Sequence, residues 1–316
     1  MYINACSTIS HQNSFQNENW INELTLLDEN NELITPNYKE FIAPTALRRM
    51  SKIIRMGLTC AKDCVKQSGI ENPDAIIVGT ALGCLADTEK FLNNALTLKG
   101  LIPPTAFIQS THNTIAGQIS LELKNHNYNV THTQNSLSFE HALIDAILCL
   151  NEDDSNILVG AVDEEIPLLG ELTGQFGLDS IKNKLTSSAS FFMLSNNKTE
   201  TSKAKLVDSY TVGLNTSDSK KIINEFLERN NTSLADVDLV LSNSYGTVSD
   251  SEIKNLFDSI EVIPVEQHTG YHLTTAAFGM HLATEMINQK SGNQILIYNT
   301  LNNSNIGLTL LQSLEA

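Results

Sequence analysis

Residues 128–150, YNVTHTQNSLSFEHALIDAILCL, join a short strand to a long apolar helix. The first part, Tyr128 to Thr133, predicts the strand, and Phe139 to Leu150 predicts the helix. The apolar residues of this helix recur on one side: Phe139, Ala142, Leu143, Ala146, Ile147 and Leu150. A strand that runs into a buried helix is a setting in which the helix N-terminus can activate a cysteine thiol. No cysteine lies between the two elements.

The alternation of strand and helix continues on both sides of this stretch. Short apolar runs predict strands buried on both faces, and runs with helical spacing predict helices. The predicted strands cover residues 75–79, 156–162, 189–194, 204–212, 237–242, 294–299 and 306–311, and the predicted helices 48–67, 113–123, 219–229, 250–257 and 273–288. Pro167 to Thr186 is predicted to be irregular. The pattern predicts an α/β fold of two similar halves, residues 1–200 and 201–316.

Composition excludes several classes of function. The chain has 316 residues, of which 41% are hydrophobic, so it can bury a large core. It carries 20 basic and 36 acidic residues, a net charge of 20 − 36 = −16. Such an acidic protein repels nucleic acid and anionic lipid, and no apolar run is long enough to span a membrane. We therefore expect no nucleic-acid or membrane partner.

The cysteines and histidines predict no metal site and no cofactor. Five cysteines without paired spacing are typical of free thiols in a reducing compartment, so we expect a cytoplasmic protein. Cys60 and Cys64 lie one helical turn apart but have no further ligand nearby, which favours core packing. His268 and His272 have the spacing of a zinc pair, but Gly270 lies between them and no acidic ligand follows closely.

Several short motifs, in order along the chain, resemble the β-ketoacyl synthases of the thiolase superfamily. They are Arg48-Arg49-Met50-Ser51, Val78-Gly79-Thr80-Ala81-Leu82-Gly83 followed by Thr88-Glu89, Ala116-Gly117-Gln118-Ile119-Ser120, and Ser187 to Leu194. The resemblance spans nearly the whole chain. It implies a thiolase-like fold in which two αβ halves with mixed, mainly buried sheets form αβαβα layers.

The resemblance also implies where catalytic groups would lie. The family condenses acyl units with a nucleophilic cysteine, two histidines and an assisting lysine. Counting back from His141 places the nucleophile position at Ser136, whereas the upstream strand with a small insertion places it at Gln134. Both alternatives stay open. A glutamine at this position is what the chain length factors of bacterial polyketide systems show, which are ketosynthase-like partners without the thiol.

The other positions of the family pattern are also changed. The first histidine should follow the strand that ends near Leu241, and Tyr245 stands there, in the run Ser244 to Val248. His272, ahead of a small-residue helix, matches the second histidine, and Gln267 stands where the lysine should be. The glycine-rich loop that gates the pocket is replaced by Thr300-Leu301-Asn302-Asn303-Ser304.

These changes indicate a chain that does not catalyse condensation alone. A helix dipole can create a thiolate but does not ionise an alcohol, and a tyrosine does not exchange protons near neutral pH as histidine does. We therefore predict a non-catalytic, chain-length-factor-like partner of an active β-ketoacyl-ACP synthase. It would form a heterodimer, meet the acyl carrier protein mainly through the partner, and serve fatty-acid, polyketide or aryl-polyene biosynthesis.

The resemblance places the dimer contact at the open edge of the strand Tyr128 to Thr133. It places the acyl pocket, which the chain would help to shape, near Gly79 to Leu85 and Leu101 to Thr111. Because acyl carrier proteins are acidic, a chain of net charge −16 is expected to bind them weakly, which leaves recruitment to the partner.

Two alternatives come from other classes of function. The first is a serine-dependent acyltransferase or hydrolase in which His272 is the base for Ser136, provided that the two side chains lie within hydrogen-bond reach. Against it, Ser136, Asn135 or Ser138 can simply cap the following helix. The second alternative is a homodimer that binds acyl chains without turning them over.

Overall fold

Within the residues that the structure describes, ten strands form one mixed β-sheet with helices packed against it. The computed structural model describes residues 1–28, 32–152, 155–175, 184–215, 217–246, 248–257 and 260–315. The strands are β1 Tyr2–Ile9, β2 Ala75–Gly79, β3 Tyr128–His132, β4 Asn156–Asp163, β5 Ser188–Ser195, β6 Ala204–Val212, β7 Leu239–Tyr245, β8 Glu261–Pro264, β9 Gln294–Leu301 and β10 Asn305–Gln312. The helices are α1 Pro44–Leu47, α2 Lys52–Ser68, α3 Leu85–Thr97, α4 Pro104–Gln109, α5 Thr114–Leu123, α6 Ser138–Asn151, α7 Pro167–Gln175, α8 Ser219–Arg229, α9 Asp250–Leu256, α10 Glu266–Thr269 and α11 Thr275–Asn288. None of these helices combines the length and the apolar character that crossing a bilayer requires.

The sheet consists of two five-stranded units with the same topology. The strand order is β3-β2-β4-β5-β1 and then β6-β10-β9-β7-β8, so the second unit repeats the first in mirror order. In each unit the three outermost strands are parallel and the two inner pairings are antiparallel. The units meet where Tyr2 and Ile3 of β1 pair with Lys205 and Ala204 of β6. The predicted α/β fold of two similar halves is confirmed, while the boundary between residues 200 and 201 stays a prediction.

The helices divide into three layers around the two halves of the sheet. The apolar faces of α6 and α11 share one core with strands from both halves, so these helices lie between them. The outer face of the first half is covered by α2 and α5, and that of the second half by α8 and α9. This is the αβαβα arrangement that the resemblance implied. It brings the N-termini of α6 and α11 towards the carboxyl ends of the parallel strands.

Some predicted elements differ from those observed. The helix predicted from residue 48 begins at Lys52, because Pro44 starts a separate short helix, α1, and residues 48–51 form the turn between them. Gly69 ends α2 in the left-handed conformation, as its position predicted. The stretch predicted to be irregular contains α7, and its residues 176–183 lie outside the described part of the chain.

Seven of these elements escaped prediction: β1, β8, α1, α3, α4, α7 and α10. The clearest case is β1, whose sequence YINACSTI lacks the continuous apolar run of the other buried strands. Its polar side chains are nevertheless buried, because partners such as Ser190 for Thr8 satisfy them inside the protein. Contacts made across more than 180 residues leave no local trace in the sequence.

Candidate functional site

The residues predicted to matter lie where the parallel strands of both halves end. The carboxyl ends of β2, β3 and β4 belong to the first half, and those of β7 and β9 to the second. In open α/β sheets this edge is where ligands bind, because loops and helix N-termini converge there. The turn between β3 and α6 and the segment before α11 both lie at this edge.

A tight turn connects β3 to α6. Gln134 is exposed, and Asn135 takes a left-handed conformation with φ of 54°. The hydroxyl of Ser138 accepts a hydrogen bond from Gln134 N at 2.9 Å and donates to Asn135 O at 2.7 Å, which closes the turn. Ser138 is therefore the serine that supports the start of α6.

Ser136 lies inside the protein. Its side chain is fully buried, and within the described residues its hydroxyl has no hydrogen-bond partner, so it does not act as the cap expected of it. Its main-chain carbonyl accepts a hydrogen bond of 2.7 Å from Asn299 Nδ2 at the end of β9. Of the two residues at the predicted nucleophile position, only Gln134 is accessible in this chain. Which of them corresponds to the family's nucleophile stays a prediction.

Tyr245, predicted at the first histidine position, is bound to main chain. It is buried at the end of β7, and its hydroxyl donates to His272 O at 2.6 Å. Burial raises the pKa of this phenol well above its usual value. Tyr245 and His272 are thus brought together, but through a structural hydrogen bond that uses the only proton of the tyrosine. Thr247, two residues further on, lies outside the described residues.

His272 is buried just before α11. Its Nδ1 lies 3.2 Å from Thr186 Oγ1, and within the described residues its Nε2 has no partner. Burial, and then the nearby His11, lower the pKa of the imidazole from 6.5 to about 3, so it is neutral and a weak base at neutral pH. In this geometry neither Ser136 Oγ nor His272 Nε2 is hydrogen-bonded to the other.

Gln267, at the predicted lysine position, does not join the buried group. It lies on α10 with its side chain exposed, and its Nε2 donates to Asp250 Oδ2 at 3.0 Å. A neutral amide that faces solvent does not supply the positive charge that an assisting lysine would.

The loop predicted to replace the gate is a tight hairpin between β9 and β10. Three residues, 302–304, connect Leu301 to its pairing partner Asn305, and Asn302 and Asn303 have φ of 52° and 55°, a left-handed conformation that asparagine tolerates. Asn302 N donates to Tyr245 O at 3.0 Å, which ties the hairpin to β7. The replacement is therefore a short, hydrogen-bonded turn.

Asp163, at the end of β4, was not among the predicted site residues. Its Oδ1 accepts hydrogen bonds from Thr80 Oγ1 at 2.9 Å, Ala81 N at 3.0 Å and Leu82 N at 3.1 Å. Burial raises the pKa of this carboxyl, and these hydrogen bonds oppose the shift. The turn after β2 therefore binds a side chain of the protein itself, which fits a strand-end turn and not a phosphate loop.

Two buried glutamates also escaped prediction. Glu140, on the first turn of α6, accepts a hydrogen bond from Asn299 Nδ2 at 2.8 Å, and Glu266 begins α10. Burial raises the pKa of each from 4.5 to about 7. An acidic residue near the start of an apolar helix was the only sign of Glu140 in the sequence. Its partner Asn299 lies 159 residues away, so the contact between them was not predictable.

Buried polar atoms without a partner are concentrated at this edge. Within the described residues they belong to Ser136, Glu140, Asn243, Glu266, Thr269, His272, Asn299 and Thr300, among others elsewhere. Native proteins leave few such atoms, and where they gather they are typical of functional sites. The groups present can bind and orient polar ligands. Of the described cysteines, Cys84 follows the turn after β2, but it is buried in the outer core of the first half, and burial raises the pKa of its thiol.

Comparison with known proteins places the chain among ketosynthases. The family model for the N-terminal domain of β-ketoacyl synthases matches residues 18–225. No curated protein matches the sequence.

Solved structures extend the likeness to the whole fold. The ishigamide ketosynthase/chain length factor is similar with a TM-score of 0.81 at 13% identity, and 99% of each chain is covered. A type II polyketide synthase acyl-carrier protein in complex with its ketosynthase gives 0.77 at 14% identity, again over 99% of each chain. A ketosynthase in complex with its chain length factor from Xenorhabdus doucetiae gives 0.52 at 18% identity over 67% of this chain and 84% of the other. At these identities the likeness confirms the thiolase-like fold alone.

Proposed function

The chain belongs to the β-ketoacyl synthase family, and we propose that it is a non-catalytic, chain-length-factor-like partner of an active ketosynthase. One observation carries this proposal. The turn between β3 and α6, where the family resemblance places the nucleophile, holds Gln134, Asn135 and Ser136 and no thiol. An amide is not a nucleophile for thioesters, and the serine is buried with no base at hydrogen-bond distance in the part of the chain that the structure describes.

The remaining groups support the absence of condensation. Decarboxylation of a malonyl unit needs donors aimed at the anion that develops. The hydroxyl of Tyr245 is already bound to His272 O, and Gln267 faces solvent. Of the family's catalytic groups, only the imidazole of His272 is retained. A non-catalytic subunit can retain this one histidine without being able to condense acyl units.

The free edge of the sheet supports a partner subunit. β3 is the terminal strand of the sheet and, among the described residues, pairs on one side only, with β2. An unpaired strand edge offers main-chain donors and acceptors to a second chain. The known ketosynthase/chain length factor structures to which this chain is similar are assemblies of such subunits by their description.

An apolar surface close to this edge supports the same proposal. It is formed by α3, α4 and their connection, and its exposed side chains are Leu92, Leu96, Leu98, Leu101, Phe107 and Ile108. Leu96 is 84% exposed and Leu101 fully exposed. Apolar patches of this kind mark interaction sites on soluble proteins. The patch includes the segment predicted to line the acyl pocket, so a partner that covers it would complete that pocket.

Charge decides which subunit recruits the carrier protein. A net charge of −16 disfavours association with an acidic acyl carrier protein, because like charges slow the encounter and cost binding energy. We propose that the carrier binds mainly to the ketosynthase partner. The class of product, aryl polyene, polyketide or fatty acid, follows from that partner, with an aryl-polyene pathway as the prediction from the family resemblance.

Co-expression tests the proposal. The chain is produced with each ketosynthase of its source organism that keeps its cysteine and both histidines, and complexes are isolated through a tag on the ketosynthase. We expect a one-to-one heterodimer in which condensation of malonyl and acyl thioesters requires both chains. A chain that stays monomeric beside every candidate, while the ketosynthase condenses normally alone, contradicts the proposal.

The serine-enzyme alternative has a direct test. Ser136 Oγ and His272 Nε2 are both buried and unpaired within the described residues, which would suit a pair that closes only around substrate. With a pKa of about 3, however, the imidazole is a poor acceptor for a serine proton. We expect no labelling by a fluorophosphonate probe. Labelling that Ser136→Ala abolishes and Ser138→Ala retains would favour the hydrolase.

A further inference from the structure

A second group of chemically active side chains lies far from the strand ends. A cavity of about 490 Å³ opens between β1, α2, α11 and the link from β5 to β6. Cys6, Lys203, His281 and Glu285 line it. Glu285 is ten residues beyond the start of α11, which is about 15 Å along the helix at 1.5 Å per residue. The cavity is therefore separate from the site around His272.

Three potential ligand atoms converge on one point at the wall of this cavity. Cys6 Sγ lies 3.4 Å from Glu285 Oε1, and His281 Nε2 lies 3.7 Å from the same oxygen. Ligand atoms of Cys6, His281 and Glu285 all lie within 4.8 Å of one another. The three residues are buried, so their side chains are held by packing.

The imidazole of His281 is oriented by its surroundings. Thr8 Oγ1 donates to Ser190 Oγ at 2.9 Å, so its oxygen is free to accept from His281 Nδ1 at 2.8 Å. This hydrogen bond leaves the proton on Nδ1 and the lone pair on Nε2, which faces the cluster. Metal-binding histidines are commonly held in this way by an acceptor for their second nitrogen.

We propose that Cys6, His281 and Glu285 form a Zn²⁺ site that joins the two halves of the protein. Tetrahedral zinc with bonds of about 2.0–2.3 Å separates its ligand atoms by about 3.3–3.6 Å. The two separations of 3.4 and 3.7 Å are close to this geometry, and the third pair of ligand atoms lies within 4.8 Å, so small side-chain shifts bring the set to zinc. A thiolate, an imidazole and a carboxylate form a donor set that suits zinc, and the cavity has room for water as the fourth ligand.

Lys203 occupies the cation position when zinc is absent. Its Nζ lies 2.5 Å from Glu285 Oε1, the oxygen on which the other two ligands converge. Its side chain is 26% exposed, so it can turn into the cavity. Zinc binding exchanges the ammonium for the metal, and the proton of the Cys6 thiol passes to solvent as the sulfur–zinc bond forms.

Only part of this site is visible in the sequence. His281 and Glu285 stand four residues apart on a helix, which places them on one face, but Cys6 precedes His281 by 275 residues. The expectation of no metal site rested on cysteine and histidine pairs that have no further ligand close in sequence. The folded chain supplies the third ligand from β1 of the other half.

Cobalt spectroscopy tests the site. The protein, treated with chelator and kept reduced, is titrated with Co²⁺ and then with Zn²⁺. We expect one Co²⁺ per chain, a near-ultraviolet thiolate-to-cobalt band that Zn²⁺ removes, and a zinc-dependent rise of several degrees in the midpoint of thermal unfolding. Cys6→Ser should lose the band. Cys60→Ser, an equally buried thiol that donates to Ala189 O, should keep it.

Two further variants distinguish a zinc site from a simple ion pair. Thr8→Val should weaken Zn²⁺ binding about 10- to 100-fold, because it releases the imidazole. Lys203→Met removes the competing cation, so it should bind Zn²⁺ more tightly and regain thermal stability when zinc is added. The proposal is overturned if the cobalt band survives in Cys6→Ser, or if zinc does not change the thermal stability of Lys203→Met. Lys203 and Glu285 are then an ion pair and not part of a metal site.

Discussion

Tyr245 and His272 touch, yet their contact is a hydrogen bond from a phenol to a carbonyl. A phenol whose pKa burial raises stays protonated at physiological pH, and an imidazole whose pKa falls to about 3 stays neutral. Neither group changes its charge near neutral pH, which is what acid–base catalysis requires. At the residue scale this pair is therefore suited to holding main chain and not to moving protons.

Cysteine substitutions will distinguish the two residues at the nucleophile position. Gln134 is exposed and Ser136 fully buried. Because thiol reagents need access, we expect Gln134→Cys to react at least about 10-fold faster with iodoacetamide than Ser136→Cys. Peptide mass spectrometry measures each rate, with the wild-type protein as control for the partly exposed Cys149. Equal rates would contradict the buried position of Ser136.

Glu140 predicts a pH dependence of stability. Its pKa is raised by burial from 4.5 to about 7, so between these values the folded state keeps a proton that the unfolded state releases. Stability therefore falls as pH rises through this window. Glu140→Gln removes the cost of burying an ionised carboxylate. The variant should be more stable than the wild type by up to about 3 kcal/mol at pH 8 and little different at pH 4.5. Urea unfolding at both pH values measures this.

The control for this experiment is Glu71→Gln, which changes an exposed glutamate. We expect it to follow the wild type at both pH values. If Glu140→Gln instead shows the same pH slope as the wild type, the buried carboxyl does not titrate in the window given, and its contact with Asn299 holds it charged.

At the scale of residues, the sequence predicted which side chains stand at the site but not which contacts they make. The absence of a thiol and the identities of Tyr245, His272 and Gln267 could be read directly. The choice between Gln134 and Ser136 could not, because an insertion of two residues is invisible without the path of the backbone. Asp163 and Asn299 could not be found either, since their partners are distant main-chain groups and side chains.

At the scale of elements, hydrophobic pattern was sufficient where an element packs with one apolar face. α8 and β6 have the predicted boundaries, Ser219–Arg229 and Ala204–Val212. Pattern failed for β1, because it is buried on both faces with polar side chains, and for β8, because it has only four residues and ends in Pro264. In these two cases tertiary pairing decides the conformation, which a local pattern does not contain.

The packing of β2 against α6 depends on Gly79. A Cβ atom added there would lie 2.5 Å from Ser138 O and 2.9 Å from Phe139 N, both main-chain atoms at the start of α6. Gly79→Ala should therefore force the helix away and destabilise the protein by about 1–3 kcal/mol. Chemical denaturation measures the change.

The matched variant is Gly117→Ala on α5, where an added Cβ meets nothing within 4 Å. It should leave stability unchanged or raise it by up to about 1 kcal/mol, because alanine favours helix. A Gly79→Ala protein as stable as the wild type would mean that the turn before α6 can yield, and that its geometry is less constrained than the contacts indicate.

At the scale of the whole molecule, the two five-stranded units leave one edge of the first half without a neighbour among the described residues, at β3. The direction of its main-chain groups can be assigned. His132 O accepts from Thr80 N on the β2 side, and successive residues of a strand point to opposite sides. Thr131 N–H therefore points to the open edge, where a partner strand would accept it.

Thr131→Pro tests whether this edge carries the subunit contact. Proline removes the outward N–H and is tolerated on an edge strand, so the fold should survive while the heterodimer weakens. Thr131→Val is the control, because like proline it loses the hydrogen bond from Thr131 Oγ1 to Asn113 Oδ1 but keeps the main-chain donor. We expect the proline variant to bind the ketosynthase at least about 10-fold more weakly than the valine variant. This is a loss of about 1.4 kcal/mol or more in binding free energy. Analytical ultracentrifugation of the co-expressed chains measures both. Equal affinities of the two variants would exclude strand pairing at β3 and leave the apolar surface of α3 and α4 as the contact to examine.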